Sequence, residues 1–198
     1  GCRLEDIYIS DNRITGIKTN KGDIDTDCVI LATGHSARDT VRMLYSHNVL
    51  MERKSFSVGV RIEHPQKLIN DALYHKFAKE LPAADYKAAV HLKDGRGVYT
   101  FCMCPGGSVV AAASEENTVV TNGMSTFARD GENANSALLV SVLPTDFEGE
   151  DVLSGIDFQQ KLEKSAFYMG GANYFAPVQT SADFIKGQKS VALGKVNP

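Results

Sequence analysis

The feature that most constrains this chain is an unbroken apolar run closing in small residues, Cys28-Val29-Ile30-Leu31-Ala32-Thr33-Gly34. A run with no polar face suits a strand covered on both sides, as in a parallel sheet. Ala32 and Gly34 carry little or no side chain, so backbone or ligand can come close at the strand's carboxyl end. In open α/β sheets that end is where ligands bind. The plainer reading is a buried strand stopping in a turn, with Cys28 as a small buried hydrophobe.

An antiparallel ribbon is expected to feed this strand. Residues 7–10 and 13–19 are β-rich and flank Asp11-Asn12, a pair tolerant of positive φ. Asn20-Lys21-Gly22 makes a second turn, and the alternation over 23–27 suits a half-exposed third strand. Residues 38–47 read as a helix. The charged Glu52-Arg53-Lys54 reads as a solvated connection, and a domain boundary is placed there, giving 1–54 and 55–198.

In the second part, 56–62 reads as a strand on which Arg61 and Glu63 share a face, most simply as an ion pair. His64-Pro65 ends it, because proline removes a donor and restricts its predecessor. Residues 66–80 have helical spacing, with Leu68, Ile69, Leu73 and Phe77 as a core stripe. Short β-rich runs at 88–92, 97–102, 109–113, 119–123 and 137–142 are punctuated by Asp94-Gly95 and Pro105-Gly106-Gly107. A helix over 156–168 stops at Gly170-Gly171. The expected class is α+β: a mostly antiparallel sheet with packed helices, following the ribbon unit.

Two segments carry candidate chemistry. Cys102-Met103-Cys104 precedes Pro105-Gly106-Gly107; an extended pair would point both thiols to one face, for redox work or as two buried thiols in a tight turn. Cys102 and Cys104 are the catalytic candidates. The stretch 122–135 holds Asn122, Arg129, Asn133 and Asn135, amides and a guanidinium suited to a carboxylate-bearing or polar small-molecule substrate. Its alternative is a self-satisfied Asx-turn network around Asp130-Gly131. No metal site is expected, since C-x-C lacks the usual two-residue spacer and the histidines are dispersed.

A net charge of −3 gives no electrostatic reason to expect nucleic acid as partner. No apolar run approaches the ~20 residues that span a bilayer, so no membrane contact is expected. With no signal-peptide pattern, the cytoplasm is the default compartment.

The ribbon, Gly22-Asp23-Ile24-Asp25-Thr26-Asp27 and the Ala32-Thr33-Gly34 run resemble the β-meander and closing strand of FAD-dependent oxidoreductases with a glutathione-reductase-like, FAD/NAD(P)-binding domain. The blocks Phe56-Ser57-Val58-Gly59-Val60-Arg61-Ile62-Glu63-His64-Pro65-Gln66, Phe101-Cys102-Met103-Cys104-Pro105-Gly106-Gly107, Thr121-Asn122-Gly123-Met124 and 128–140 resemble the bacterial uncharacterised FAD-dependent dehydrogenase family. The resemblance implies FAD in the full-length protein, contacted by Ala32, Thr33, Gly34 and His35, with 55–198 as a substrate or cap domain over the flavin. It also implies that hydride or electrons pass through the isoalloxazine. The family's G-x-G-x-x-G phosphate cradle is not in this sequence, and Gly1 is no starter methionine. The chain is therefore expected to be an internal piece that alone holds no FAD and is inactive, its partners being the missing N- and C-terminal parts. Two alternatives stay open: a non-catalytic metabolite- or partner-binding module, and a thiol redox sensor through Cys102 and Cys104.

Overall fold

Asp11 and Asn12 both take positive φ, 49° and 64°. That pair makes the two-residue turn whose twist matches that of the strands it joins. It links β1 (Leu4–Ser10) to β2 (Arg13–Thr19), and β3 (Gly22–Asp25) adds to β2, all antiparallel in the order β1-β2-β3. The computed structural model describes residues 1–194 and Val196, and the chain divides into two compact units.

Unit 1 is Gly1–Arg53 with Gly149–Ile156. Ile7, 2% exposed, anchors the ribbon's inner face. α1 (Arg38–Ser46) is held to β1 by His47 Nε2 and Asp6 Oδ1, 2.5 Å apart. That bond, with the Ile7 N–H, keeps the Asp6 carboxyl below its ordinary range. The Tyr45 hydroxyl donates to Asp151 Oδ2 at 2.9 Å, tying in the 149–156 segment.

The apolar run after the ribbon departs from expectation. Residues 27–34 form no strand, Cys28 is exposed, and Ile30 and Leu31 are 88% and 45% exposed. A strand exists only where a neighbour completes its ladder, and no described strand pairs with this run. Hydrophobicity alone does not build one.

Unit 2 takes in Lys54–Glu148 and the chain from Asp157 onward. Its four-stranded antiparallel sheet runs β4 (Phe56–Pro65), β9 (Asn133–Val142), β6 (Gly97–Cys104), β5 (Ala89–His91). Between β6 and β9 in sequence, β7 (Gly107–Ala112) and β8 (Val120–Ser125) form a separate hairpin. β4 and β9 pair over their full lengths, from Phe56 opposite Val142 to Pro65 opposite Asn133. α3 (Ser154–Met169) brings Phe158 to Phe56 and the 6%-exposed Phe147, with ring centroids 5.2–6.1 Å apart. A short α4 (Ser181–Lys186) follows, capped by the Thr180 hydroxyl and closed by Gly187 at φ 65°.

α2 covers only Gln66–Tyr74, because His75 at φ 50° breaks the helix and a single 3₁₀ turn follows. The expected core stripe is mostly outside: Leu68, Leu73 and Phe77 are 58%, 53% and 48% exposed. Helical spacing identified the stripe without saying what would cover it.

The turn into β6 is locked by charge. Arg96 Nη1 and Nη2 donate to the two oxygens of Asp146 at 2.6 and 2.7 Å, and Nη1 also reaches the Ser141 carbonyl at 3.0 Å. The guanidinium, helped by the Leu143 N–H, brings the Asp146 carboxyl from 3.8 down to about 2. A carboxyl depressed on folding stabilises fully above its unfolded value and loses that contribution as pH falls through its folded value. Thermal unfolding followed from pH 5 to pH 2 is therefore expected to converge for the wild type and Asp146→Asn. A gap between them that stays constant over this range would contradict the assignment.

Among the described residues, no helix is long and apolar enough to cross a membrane.

Candidate functional site

Alternation along β4 places Ser57, Gly59, Arg61 and Glu63 on one face of the unit 2 sheet. Their antiparallel partners on β9 are Ser141, Leu139, Ala137 and Asn135, and β6 continues the rows with Tyr99, Phe101 and Cys104. The side chains bear this out: Tyr99 donates to Ser57 Oγ at 2.9 Å, Arg61 Nε to Asn135 Oδ1 at 2.8 Å, and Asn133 Nδ2 to Glu63 Oε1 at 2.6 Å. The β7–β8 hairpin lies against this face, with the Val109 N–H donating to Glu63 Oε2 at 3.4 Å.

Arg61 is the centre of the cluster. Its Nη2 donates to the Cys102 carbonyl at 2.6 Å and to Cys104 Sγ at 3.6 Å. The Cys104 thiol in turn donates to the Cys102 carbonyl at 3.3 Å. Between Phe101 and Cys104 the β6–β9 register shifts, and Cys102 sits in this bulge at φ 47°. Bulges re-aim side chains, and strained backbone gathers at functional sites. The expected Arg61–Glu63 ion pair is replaced: Arg61 reaches across to Asn135 and the bulge, while Glu63 binds Asn133 and the hairpin. Asn135 lies diagonal to Arg61 across the β4–β9 pair, and Asn133 diagonal to Glu63, a separation that long side chains span.

Asn135 is fully buried. Arg61 Nε can only donate, which sets the asparagine oxygen toward it. Asn135 Nδ2 then has no partner among the described residues, an orphan donor worth about 1–3 kcal/mol of destabilisation. Gly123 on β8 makes the arrangement possible. A Cβ there would lie 2.0 Å from Asn135 Oδ1 and 2.4 Å from Arg61 Nη2.

The sequence candidates thus separate. Cys102, Cys104 and Asn135 meet around Arg61, and Asn133 binds the neighbouring Glu63. Asn133 and Asn135 are not loop residues, since β9 begins at Asn133 rather than near Ala137. Asn122 lies exposed on β8, opposite Val110. Arg129, at φ 53°, lines a separate open cleft of 490 Å³ with Lys67, Lys79, Asp130 and Glu132. Ala32, Thr33, Gly34 and His35 belong to unit 1 and are exposed; a Cβ at Gly34 would meet nothing within 4 Å.

Sequence reasoning missed Gln66, 6% exposed at the start of α2 beside that cleft. Gln66 Nε2 donates to Asn70 Oδ1 and the Ala84 carbonyl at 2.8 and 2.9 Å, and its Oε1 accepts from the Gly106 N–H at 2.8 Å. On the opposite sheet face, His64 Nε2 and the Tyr86 hydroxyl are 2.9 Å apart. Burial pushes the Tyr86 phenol above its ordinary value, opposed by a hydrogen bond with Ser136.

These residues do not by themselves make a FAD site. The 32–35 backbone is open to solvent, and the space beneath Gly123 is filled by Asn135 and Arg61.

Ribbon, four-stranded sheet and packed hairpin define an α+β chain with a polar cluster beneath the hairpin. The chain belongs to the family described as "FAD-dependent protein, C-terminal domain-like", which matches residues 55–198. A protein of Clostridium beijerinckii (strain ATCC 51743 / NCIMB 8052), described as "Uncharacterized protein", is similar to it. The two are 52% identical over 200 residues, covering 99% of this chain and 37% of that relative. This chain therefore spans well under half the length of that relative.

Proposed function

We propose that this chain is part of a FAD-dependent oxidoreductase, a dehydrogenase in which residues 55–198 form the substrate domain over the flavin and residues 1–54 complete the flavin domain. The family match over 55–198 carries this reading. In the whole protein, Ala32, Thr33, Gly34 and His35 would offer exposed backbone to the cofactor. Arg129, on the rim of an open cleft, is the first choice for a small anionic substrate, because a guanidinium forks onto a carboxylate. FAD would supply the redox step, and the protein its position and surroundings.

The test compares two purified proteins. The Clostridium beijerinckii relative is expected to be yellow, with about one FAD per chain. This chain alone, mixed with FAD, is expected to retain none through gel filtration. A relative that purifies without flavin and cannot be loaded with FAD would overturn the proposal. A second reading, a metabolite-binding module without catalysis, rests on the same cleft. Changing the relative's counterpart of Arg129 to Gln separates the two, since lost ligand binding with unchanged flavin reduction would favour the module.

A further inference from the structure

The two cysteines beside Arg61 have an arrangement that the flavin reading does not use. Cys102 is exposed at the bulge, and Cys104 is half-buried with its sulfur turned back toward residue 102. One guanidinium nitrogen of Arg61 holds both the Cys102 carbonyl and Cys104 Sγ. Two residues of extended chain span at most roughly 6.6–7.2 Å. That is the upper edge of the ~4.4–6.8 Å between Cα atoms that a disulfide bridges. The tether therefore never carries the pair far beyond bridging range, and Met103, between them, has no opposite number in the β9 ladder to hold the bulge extended. Neither cysteine is engaged in a disulfide.

We propose that Cys102 and Cys104 form a dithiol site that reduces low-molecular-weight disulfides, with Cys102 as attacking thiol, Cys104 as resolving thiol and Arg61 as positioning residue. Cys102, the accessible sulfur, attacks the small disulfide. A bond forms between Cys102 Sγ and one substrate sulfur, the substrate's S–S bond breaks, and one small thiol leaves with the proton. Cys104 then attacks Cys102 Sγ, closing the intramolecular disulfide and releasing the second small thiol with the second proton. The two cysteines lose two electrons, and the substrate disulfide gains them as two thiols. Arg61 keeps Cys104 Sγ and the bulge carbonyl on one side, so the second step is intramolecular and fast.

The experiment uses this 198-residue chain carrying Cys2→Ser and Cys28→Ser, mixed with oxidised glutathione and followed by intact mass and by thiol titration. The expected product has lost about 2 Da and both titratable thiols, and dithiothreitol restores it. In Cys104→Ser, glutathione is expected to stay bound at residue 102. In Arg61→Gln, the same mixed disulfide is expected to persist about tenfold to a hundredfold longer while alkylation of Cys102 keeps its rate. Stable glutathione adducts with both cysteines intact, or no reaction at all, would overturn the proposal. Should Arg61→Gln fail to fold, the Cys104→Ser comparison decides alone. No flavin is present, so failure here leaves the flavoprotein reading standing.

Discussion

Gly123→Ala is expected to lower the stability of unit 2 by about 3–5 kcal/mol, read from the midpoint of urea unfolding. Gly123 does not need glycine's backbone freedom, so the effect comes from space alone. The added methyl would lie 2.0 Å from Asn135 Oδ1, 2.4 Å from Arg61 Nη2 and 2.7 Å from Arg61 Cζ. Asn135 is fully buried on a strand paired on both edges and cannot turn away. Either β8 lifts, breaking its ladder to β7, or Arg61 leaves, stranding the Asn135 oxygen. Overpacking costs roughly 1–3 kcal/mol, and losing a hydrogen bond to a charged group about 1.5–3 kcal/mol. Against the roughly 5–15 kcal/mol that holds a typical domain, that is a large share. Asn122→Ala, at the exposed neighbouring position, should stay within about 0.5 kcal/mol of wild type. A Gly123→Ala midpoint indistinguishable from that control would mean that the Arg61–Asn135 bond does not sit beneath β8.

Elements whose signals are local were legible in the sequence. Asp11-Asn12 specifies its turn through the positive φ both residues tolerate, and Asp94-Gly95 does so with Gly95 at φ 85°. β4 was visible in its alternation, and α3 in its spacing up to Gly170. Whatever depended on a partner was not legible. Val29, Ile30 and Leu31 have strand composition but no ladder here, and the α2 stripe has helical spacing but no cover. The same limit divided the candidate site. Asn133 and Asn135 were recognised as polar residues in series, yet pairing with β4 makes them strand residues facing Glu63 and Arg61. Two polar i, i+2 pairs on strands that prove to be neighbours, Arg61-x-Glu63 and Asn133-x-Asn135, were the available signal. Only the register, Glu63 opposite Asn135, turns that signal into contacts.

Gln66 shows how far a residue without any sequence signal can matter, and Gln66→Leu is expected to cost about 2–6 kcal/mol. Leucine fills nearly the same space, so no cavity arises; the loss is in hydrogen bonds. The Gly106 N–H and the Ala84 carbonyl both lose the side-chain partner that satisfies them in the buried interior. Each orphaned group carries roughly 1–3 kcal/mol of desolvation. Asn70 is spared because its oxygen still accepts from the Ala84 N–H at 2.9 Å. The damage should spread in one direction. Gly106, at φ 53°, packs so tightly that a Cβ would lie 2.0 Å from the Arg129 carbonyl, and its own carbonyl accepts from Gly131 at 3.2 Å. Releasing the 105–107 turn therefore releases the loop that carries Arg129 along the cleft. Hydrogen exchange in Gln66→Leu should speed up at Gly106 and Gly131 while the β1–β2 amides of unit 1 keep their wild-type rates. Uniform acceleration in both units would point to global destabilisation and remove Gln66 as the local tie between α2, the 105–107 turn and the Arg129 loop.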